Sequence, residues 1–131
     1  MHVTFPALLS YENIALLILR VVVAIVFGAS GYFHLKDPVG RGKSIEMSPA
    51  FTTFLGVAEV AGSLGLVTGV LIQPAAIGLI LLSLAAIQKK VVAWDTGFWG
   101  EKTYGWHYDL MLVAMNLVIM TTDGGRIVLL R

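Results

Sequence analysis

The 131-residue sequence lacks cysteine and is poor in charged residues. The absence of cysteine excludes disulfide bonds, thiol catalysis, Cys-x-x-Cys redox chemistry and thiolate ligation of iron–sulfur clusters. Charged residues make up 13% of the chain, about half of the roughly 25% that soluble domains carry. So few charges cannot cover a water-facing surface, which excludes a soluble globular enzyme. The net charge of +1 gives no basic face, so no nucleic-acid partner is expected.

Apolar residues, by contrast, make up 57% of the chain and occur in long runs. A membrane-spanning helix needs about 20 mostly apolar residues. Four such spans are predicted within a single transmembrane domain, at about 14–35, 50–72, 74–94 and 106–122. The predicted fold class is therefore an all-α integral membrane four-helix bundle that contacts the lipid bilayer. The first span contains Arg20 and follows no basic residue, so it is not expected to be a cleaved signal.

The distribution of basic residues predicts how the chain is oriented in the membrane. Six lie in or beside the two longer connections, and two follow the last span: Lys36, Arg41, Lys43, Lys89, Lys90 and Lys102 against Arg126 and Arg131. This imbalance predicts that the longer connections face the cytoplasm and that both termini face outward.

Two charged residues, Arg20 and Glu59, lie deep inside predicted spans. Each costs roughly 2.5–3.5 kcal/mol to insert, so such residues usually face the bundle interior and have a partner. Their predicted depths differ by about 7 Å at the helical rise, which predicts that they pair. They are the candidate catalytic residues, and Asn116 would complete the same polar layer. The alternatives are a salt bridge that fixes helix register and a proton relay or substrate contact.

Helical spacing predicts which faces point inward. Two sets of residues fall on single faces: Arg20, Phe27, Gly31 and His34 in the first span, and Gly56, Glu59 and Ser63 in the second. A row of small residues, Ala61, Gly65 and Gly69, lies on the opposite face of the second span and predicts close helix packing there, within the chain or in a homo-oligomer.

A second polar cluster is predicted at the cytoplasmic end, where His34 ends the first span and His107, Tyr108 and Asp109 begin the fourth. With Asn116, these are the candidate ligand-binding residues. They would hydrogen-bond the head group of an apolar small molecule such as a quinone. No metal site is predicted, since no His-x-x-x-His or His-x-x-Glu spacing occurs on one helix. Aromatic residues gather at this end, as an interfacial belt or as the walls of a pocket: Trp94, Phe98, Trp99, Tyr104, Trp106 and Tyr108.

Several segments together resemble the DoxX family of small four-helix membrane proteins. They are ILRVVVAIVFGASGYFHL around Arg20, FLGVAEVAGSLGLVTGVLIQPAA at 54–76, FWGEKTYGWHYDLMLVAMNLV at 98–118 and the closing Gly124-Gly125-Arg126. The most specific element is Gly-x-x-Glu-x-x-Gly around Glu59. Two departures stand out. Ser30-Gly31 replaces the family's His-Gly, with histidine later at His34, and His107 stands where the family carries Glu, with the acid displaced to Asp109.

The resemblance implies a bacterial or archaeal cell-membrane protein, placed in the inner membrane, that works in a redox context. The family takes its name from a subunit of a thiosulfate:quinone oxidoreductase, so other membrane redox subunits are expected partners. Because the chain has no thiol to accept sulfur, the quinone side of that chemistry is favoured. The leading hypothesis is a redox-associated subunit that binds a quinone or similar apolar ligand between its helices. The alternatives are a small proton-coupled transporter and a structural subunit without chemistry of its own.

Overall fold

Helices are the only regular elements in residues 3–100 and 105–129, which are the residues that the structure, a computed structural model, describes. A 3₁₀ turn at Pro6–Tyr11 leads into α1 (Glu12–Lys36) and the short α2 (Pro38–Ser44). The remaining elements are α3 (Pro49–Thr68), α4 (Ile72–Gln88) with its continuing π-helical turn Lys89–Ala93, and α5 (Trp106–Thr122). The predicted all-α class is confirmed.

Three helical stretches are long and apolar enough to cross a membrane, namely Pro6–Lys36, Pro49–Thr68 and Ile72–Ala93. Their outer faces expose large apolar side chains, such as Ile25, Phe54 and Leu81. Soluble proteins rarely expose so much apolar surface, so these faces meet lipid. Helix α5 has 17 residues and is therefore about 25 Å long, somewhat less than the roughly 30 Å of a bilayer core.

The four long helices form two closely packed pairs. Helix α1 packs most extensively on α3, and α4 packs most extensively on α5. The α1–α3 pair is closest where Gly31 meets Gly56. A methyl group on Gly31 would lie only 2.8 Å from the Gly56 carbonyl oxygen, so no larger residue fits without moving the backbone. This contact fixes the antiparallel register of α1 against α3.

Helices α3 and α4 form the tight hairpin that their short connection predicts. Only three residues separate Thr68 from Ile72. A methyl group on Gly65 would lie 3.0 Å from the Val70 carbonyl oxygen and 3.3 Å from the Ala75 Cβ. The predicted small-residue row is thus used at Gly65 for packing within the chain.

The inward faces predicted from helical spacing are confirmed. Arg20, Phe27, Gly31 and His34 are all buried on α1, and Gly56, Glu59 and Ser63 are buried on α3.

Apolar packing is concentrated in the half of the bundle nearest Arg20. Its fully enclosed side chains come from all four long helices and include Val23, Leu66, Leu79 and Ile119. The opposite half, where the longer connections lie, is less completely filled.

Candidate functional site

The less filled half of the bundle contains a cavity of about 300 Å³ between the two helix pairs. It extends from the connection residues Met47 and Trp94 inward to Glu59 in the middle of α3. Most of its surface is apolar or aromatic, from residues that include Val26, Phe27, Phe51, Phe54, Leu55, Leu82, Ala86 and Leu112. The polar side chains divide between the helix pairs: Ser30, His34 and Glu59 on α1 and α3, and Ser83, Lys89, Lys90, Tyr108 and Asp109 on α4, its π-helical turn and α5.

On the first wall, His34 and Glu59 face each other. The His34 Nδ1 lies 3.6 Å from the Glu59 Oε1 and 2.6 Å from the Ser30 carbonyl oxygen. Because that carbonyl can only accept, Nδ1 carries the hydrogen and Nε2 is left as the ring atom able to accept a proton. Arg41 of α2 acts electrostatically on both groups. Its Nε is buried, and none of the described residues hydrogen-bonds it.

On the second wall, Lys90 and Asp109 form an ion pair. The Lys90 Nζ donates to the Asp109 Oδ2 at 2.7 Å, a charge-assisted hydrogen bond between two largely buried side chains. The same ammonium group lies 5.5 Å from the centre of the Tyr108 ring. Lys90 belongs to the π-helical turn, and such widened turns are frequent at functional sites.

The mouth of the cavity is held by contacts between the α2–α3 connection and the π-helical turn. The Trp94 Nε1 donates to the Glu46 Oε2 at 2.8 Å, and the Lys89 Nζ lies 3.5 Å from the Glu46 carbonyl oxygen. Glu46 has a positive φ of 57°, which is uncommon for a residue other than glycine. These contacts place the Trp94 indole at the cavity entrance.

Arg20 lies outside this cavity, and its predicted pairing with Glu59 is wrong. Its guanidinium donates to carbonyl oxygens instead: Leu66 at 2.8 Å, Gly124 at 2.9 Å and Val67 at 3.5 Å. The reason is register. With Gly31 opposite Gly56, Arg20 lies level with the last turn of α3, some seven residues or roughly 10 Å beyond Glu59.

The role of Arg20 follows from these partners. The last turn of a helix leaves carbonyl groups without intrahelical donors, and a cation there also complements the helix dipole. Arg20 meets this need for α3 and also binds the turn that follows α5. Gly124 in that turn has a φ of +71°, and a methyl group on it would lie 2.7 Å from the Arg20 Cδ. Arg20, which is 1% exposed, thus ties three helices together.

The predicted cluster of His34, His107 and Asp109 is only partly assembled. His34 and Asp109 both line the cavity, on opposite walls. His107 does not line it. Its Nδ1 lies 2.7 Å from the Phe98 carbonyl oxygen, and its ring packs against Phe98 and Trp99. Phe98 and Trp99 pack against His107, a contact that helical spacing cannot reveal.

Asn116 is buried in α5 but lies below the cavity. Its Nδ2 donates to the Leu112 carbonyl oxygen at 2.9 Å. Its Oδ1 is buried without a hydrogen-bond partner in the described part of the chain. The predicted layer with Arg20 and Glu59 does not form, because those two residues lie at different levels.

The aromatic cluster contributes two rings to the cavity. Trp94 and Tyr108 line it. Phe98 instead packs edge-on against Trp99 and Trp106, away from the cavity. Tyr104, along with Lys102 and Arg131 from the orientation argument, lies outside the described residues.

Sequence reasoning missed three residues of the cavity or its surroundings. Lys90 and Arg41 were counted only as charges that set orientation. Ser83 carried no signal at all, because a single serine in an apolar helix usually bonds its own backbone.

Chemically, the cavity combines an apolar body with an acid–base pair on each of two walls. In a low-dielectric site such groups can hydrogen-bond a polar ligand atom strongly and can hold or transfer a proton. Among the described residues, no three His, Asp or Glu side chains come together as metal ligands would.

A comparison with known families gives one finding. The model of the DoxX family matches residues 15–94, which is more than half of the chain and runs from α1 to the π-helical turn. The matched residues include His34, Glu59 and Lys90, whereas Tyr108 and Asp109 lie beyond them. Searches of the curated proteins and of the solved structures found no match. The resemblance read from the sequence is thereby confirmed, and the chain belongs to the DoxX family of membrane proteins.

Proposed function

We propose that this protein is a membrane subunit of a redox system and that it binds a quinone, or a similar apolar ligand, in the cavity between its helix pairs. The observation that carries the proposal is the cavity itself, an apolar space with His34 and Glu59 on one wall and Lys90 and Asp109 on the other. Ligand sites have this composition, mostly apolar with a few convergent polar groups. The redox context comes from family membership.

The size of the cavity supports a ring-shaped head group. Its volume of about 300 Å³ is at the lower end of the range, roughly 300–1,000 Å³, in which small-molecule sites fall. An apolar cavity of about 150 Å³ already holds benzene. A one- or two-ring head group therefore fits, while any hydrocarbon tail would remain in lipid.

The polar residues would act on the oxygen atoms of that head group. His34 and Glu59 would donate or accept a hydrogen bond and exchange a proton on one side. Asp109, Lys90 and Tyr108 would do so on the other. Arg20, His107 and Asn116 have no contact with the cavity, so the proposal gives them structural roles.

The proposal includes an arrangement in the membrane. All four long helices cross the bilayer of a bacterial or archaeal inner membrane, with the cavity end in the cytoplasm and both termini outside. Because the chain has no native cysteine, single cysteines can report this arrangement directly. A cysteine at Lys43 should react with an impermeant maleimide only after the cells are opened, whereas one at Arg126 should react in intact cells. The reverse pattern would contradict the orientation.

Trp94 gives a direct test of ligand binding. It lines the cavity, whereas Trp99 and Trp106 pack around Phe98. In a variant with Trp99→Phe and Trp106→Phe, Trp94 is the only tryptophan, because the chain has three. Ubiquinone-1 added to this variant in lipid nanodiscs should quench its fluorescence along a saturable curve.

The control for this titration is the reciprocal variant with Trp94→Phe, measured at the same lipid concentration. It accounts for quinone that quenches from the bilayer alone. Quenching that is linear and equal in both variants, together with no quinone extracted from the purified protein, would refute ligand binding at this site.

A small proton-coupled transporter is the second candidate, favoured by one observation. Glu59 lies in the middle of α3 and lines a cavity that reaches one end of the bundle. A transporter whose binding site is open to one side of the membrane would show such an arrangement. Transport predicts that proteoliposomes with a pH gradient accumulate an apolar cation and that Glu59→Gln abolishes the accumulation. Saturable quinone binding without such uptake would favour the first candidate.

A further inference from the structure

The hydroxyl group of Ser83 faces the cavity without a partner. Ser83 lies on α4, lines the cavity and is 3% exposed. Its Oγ is buried, and no atom of residues 3–100 or 105–129 hydrogen-bonds it. A buried hydroxyl group without a partner destabilises the fold, so such a group calls for an explanation.

The other buried hydroxyl groups of the long helices are satisfied in a regular way. Serine and threonine in helices commonly bond the carbonyl group one turn earlier. Ser63 donates to the Glu59 carbonyl oxygen at 2.7 Å, and Thr52 donates to the Ser48 carbonyl oxygen at 2.9 Å. The half-buried Thr68 and the exposed Thr122 bond their own helices in the same way. Ser83, which lines the cavity, departs from this pattern.

The position of Ser83 adds a polar atom to the second wall. It lies on the same helix pair as Lys90 and Asp109, across the cavity from Ser30, His34 and Glu59. Phe27 and Leu112 contribute apolar surface to the same cavity. A flat ring in this space would therefore present one edge to each polar wall and its apolar faces to the other sides.

We propose that Ser83 is a hydrogen-bond partner of the ligand and that the cavity selects rings that carry oxygen atoms on two opposite sides. One oxygen would accept from Ser83 beside the Lys90–Asp109 pair, and the other would meet the His34–Glu59 pair. A ring with two adjacent oxygens, or with one, satisfies a single wall. The inference rests on the proposed function, because it specifies the ligand class of that cavity.

The test compares three ligands of nearly equal size in nanodiscs of the variant whose only tryptophan is Trp94. These are 1,4-naphthoquinone, with opposite oxygens, 1,2-naphthoquinone, with adjacent oxygens, and 1-tetralone, with one. The naphthoquinones are followed by quenching of Trp94, and 1-tetralone by competition against 1,4-naphthoquinone. The 1,4 isomer should bind roughly tenfold more tightly than either of the others, as expected for one additional well-placed hydrogen bond.

Two serine variants test whether Ser83 is responsible for the preference for 1,4-naphthoquinone. Ser83→Ala should weaken binding of 1,4-naphthoquinone roughly 3- to 10-fold and leave 1-tetralone within about twofold. Ser63→Ala is the matched control, since Ser63 is buried but bonds its own helix, and all three ligands should bind it as they bind the parent.

The outcomes separate this inference from the proposed function. Equal affinities for the three ligands, or equal effects of Ser83→Ala and Ser63→Ala, would overturn the selection by Ser83 while ligand binding in the cavity stands. If none of the three ligands binds saturably, both proposals fail. Tight binding of the 1,4 isomer that depends on Ser83 supports both.

Discussion

The two ends of the helix bundle use their polar groups in different ways. At the Arg20 end, side chains bind the backbone of other elements. Arg20 donates to the Leu66 and Gly124 carbonyl oxygens, Asn13 accepts from the Arg126 amide, and Gln73 donates to the Met120 carbonyl oxygen. At the cavity end, ionisable side chains pair with each other, as in His34–Glu59 and Lys90–Asp109, and line a space.

This difference distinguishes charged residues that hold the fold together from charged residues that can take part in chemistry. A guanidinium group that binds carbonyl oxygens is fixed, because Arg does not lose its proton in proteins. Pairs of His with Glu and of Lys with Asp can shift protons and exchange partners. A charged residue at membrane depth is therefore a functional candidate only when its partners also leave it able to react.

The largest effect should follow the loss of Arg20. In Arg20→Met the last turn of α3 and the turn after α5 lose their donors, which should lower the free energy of unfolding by roughly 3–5 kcal/mol. Denaturant unfolding in mixed micelles, followed by circular dichroism, measures this loss. Arg126→Met is the control and should stay within about 0.5 kcal/mol, because its side chain is exposed. Equal stability of the two variants would remove the distinction between the two ends.

The Lys90–Asp109 pair should show a smaller effect that a second substitution reverses. Lys90→Met leaves the Asp109 carboxylate buried and unpaired, which should cost roughly 2–4 kcal/mol of unfolding free energy. Adding Asp109→Leu should recover most of that loss, because an apolar pair replaces an ionic one. Lys43→Met, at an exposed position of α2, is the control and should change stability by less than about 0.5 kcal/mol. A double variant as unstable as Lys90→Met would mean that the pair is itself a structural device.

The two histidines among the described residues, His34 and His107, allow a matched comparison of their effects on quinone binding. His34→Gln should weaken quinone binding roughly tenfold, the effect of losing one hydrogen bond to an ionisable partner. His107→Gln should leave binding within about twofold, because His107 packs on Phe98 and Trp99 outside the cavity. Quenching of Trp94 measures both. Greater sensitivity to His107 than to His34 would place the ligand in the aromatic cluster.

The smallest expected effect concerns Ser83 in the ligand-free protein. Since its hydroxyl group has no partner among the described residues, Ser83→Ala should leave the unfolding free energy unchanged or raise it by up to about 1 kcal/mol. The same unfolding assay measures it. Ser63→Ala, which removes a satisfied hydrogen bond, should instead lower stability slightly. A clear loss of stability in Ser83→Ala would show that the hydroxyl group has a partner within the fold.

The helices and their inward faces could be predicted because both are local properties. Apolar runs located all four long helices, and a period of 3.6 residues identified Arg20, His34 and Glu59 as buried. The partners of these residues could not be predicted in the same way. Pairing depends on how α1 slides against α3, and that register is decided by the contact of Gly31 with Gly56. An error of one or two turns replaces one partner with another.

The candidate site was predictable in part for the same reason. His34, Tyr108 and Asp109 were placed near one end of the bundle, and the structure brings all three to the cavity. Glu59, which was placed deeper and beside Arg20, also lines it. His107 was misplaced because contacts with Phe98 and Trp99, which are distant in helical spacing, determine where its ring packs. Lys90 was missed because a π-helical turn rotates it toward Asp109, and the sequence carries no local signal for that turn.

Photo-crosslinking measures most directly where a ligand binds. An azido-substituted quinone would be irradiated with the protein in nanodiscs, with and without excess unlabelled quinone, and the adducts mapped by peptide mass spectrometry. We predict competable adducts in two peptide groups, one around residues 26–59 and one around 82–112, from the two walls of the cavity. Adducts that unlabelled quinone does not displace, or competable adducts confined to the Arg20 end, would contradict the assignment of the ligand to the His34–Glu59 and Lys90–Asp109 cavity.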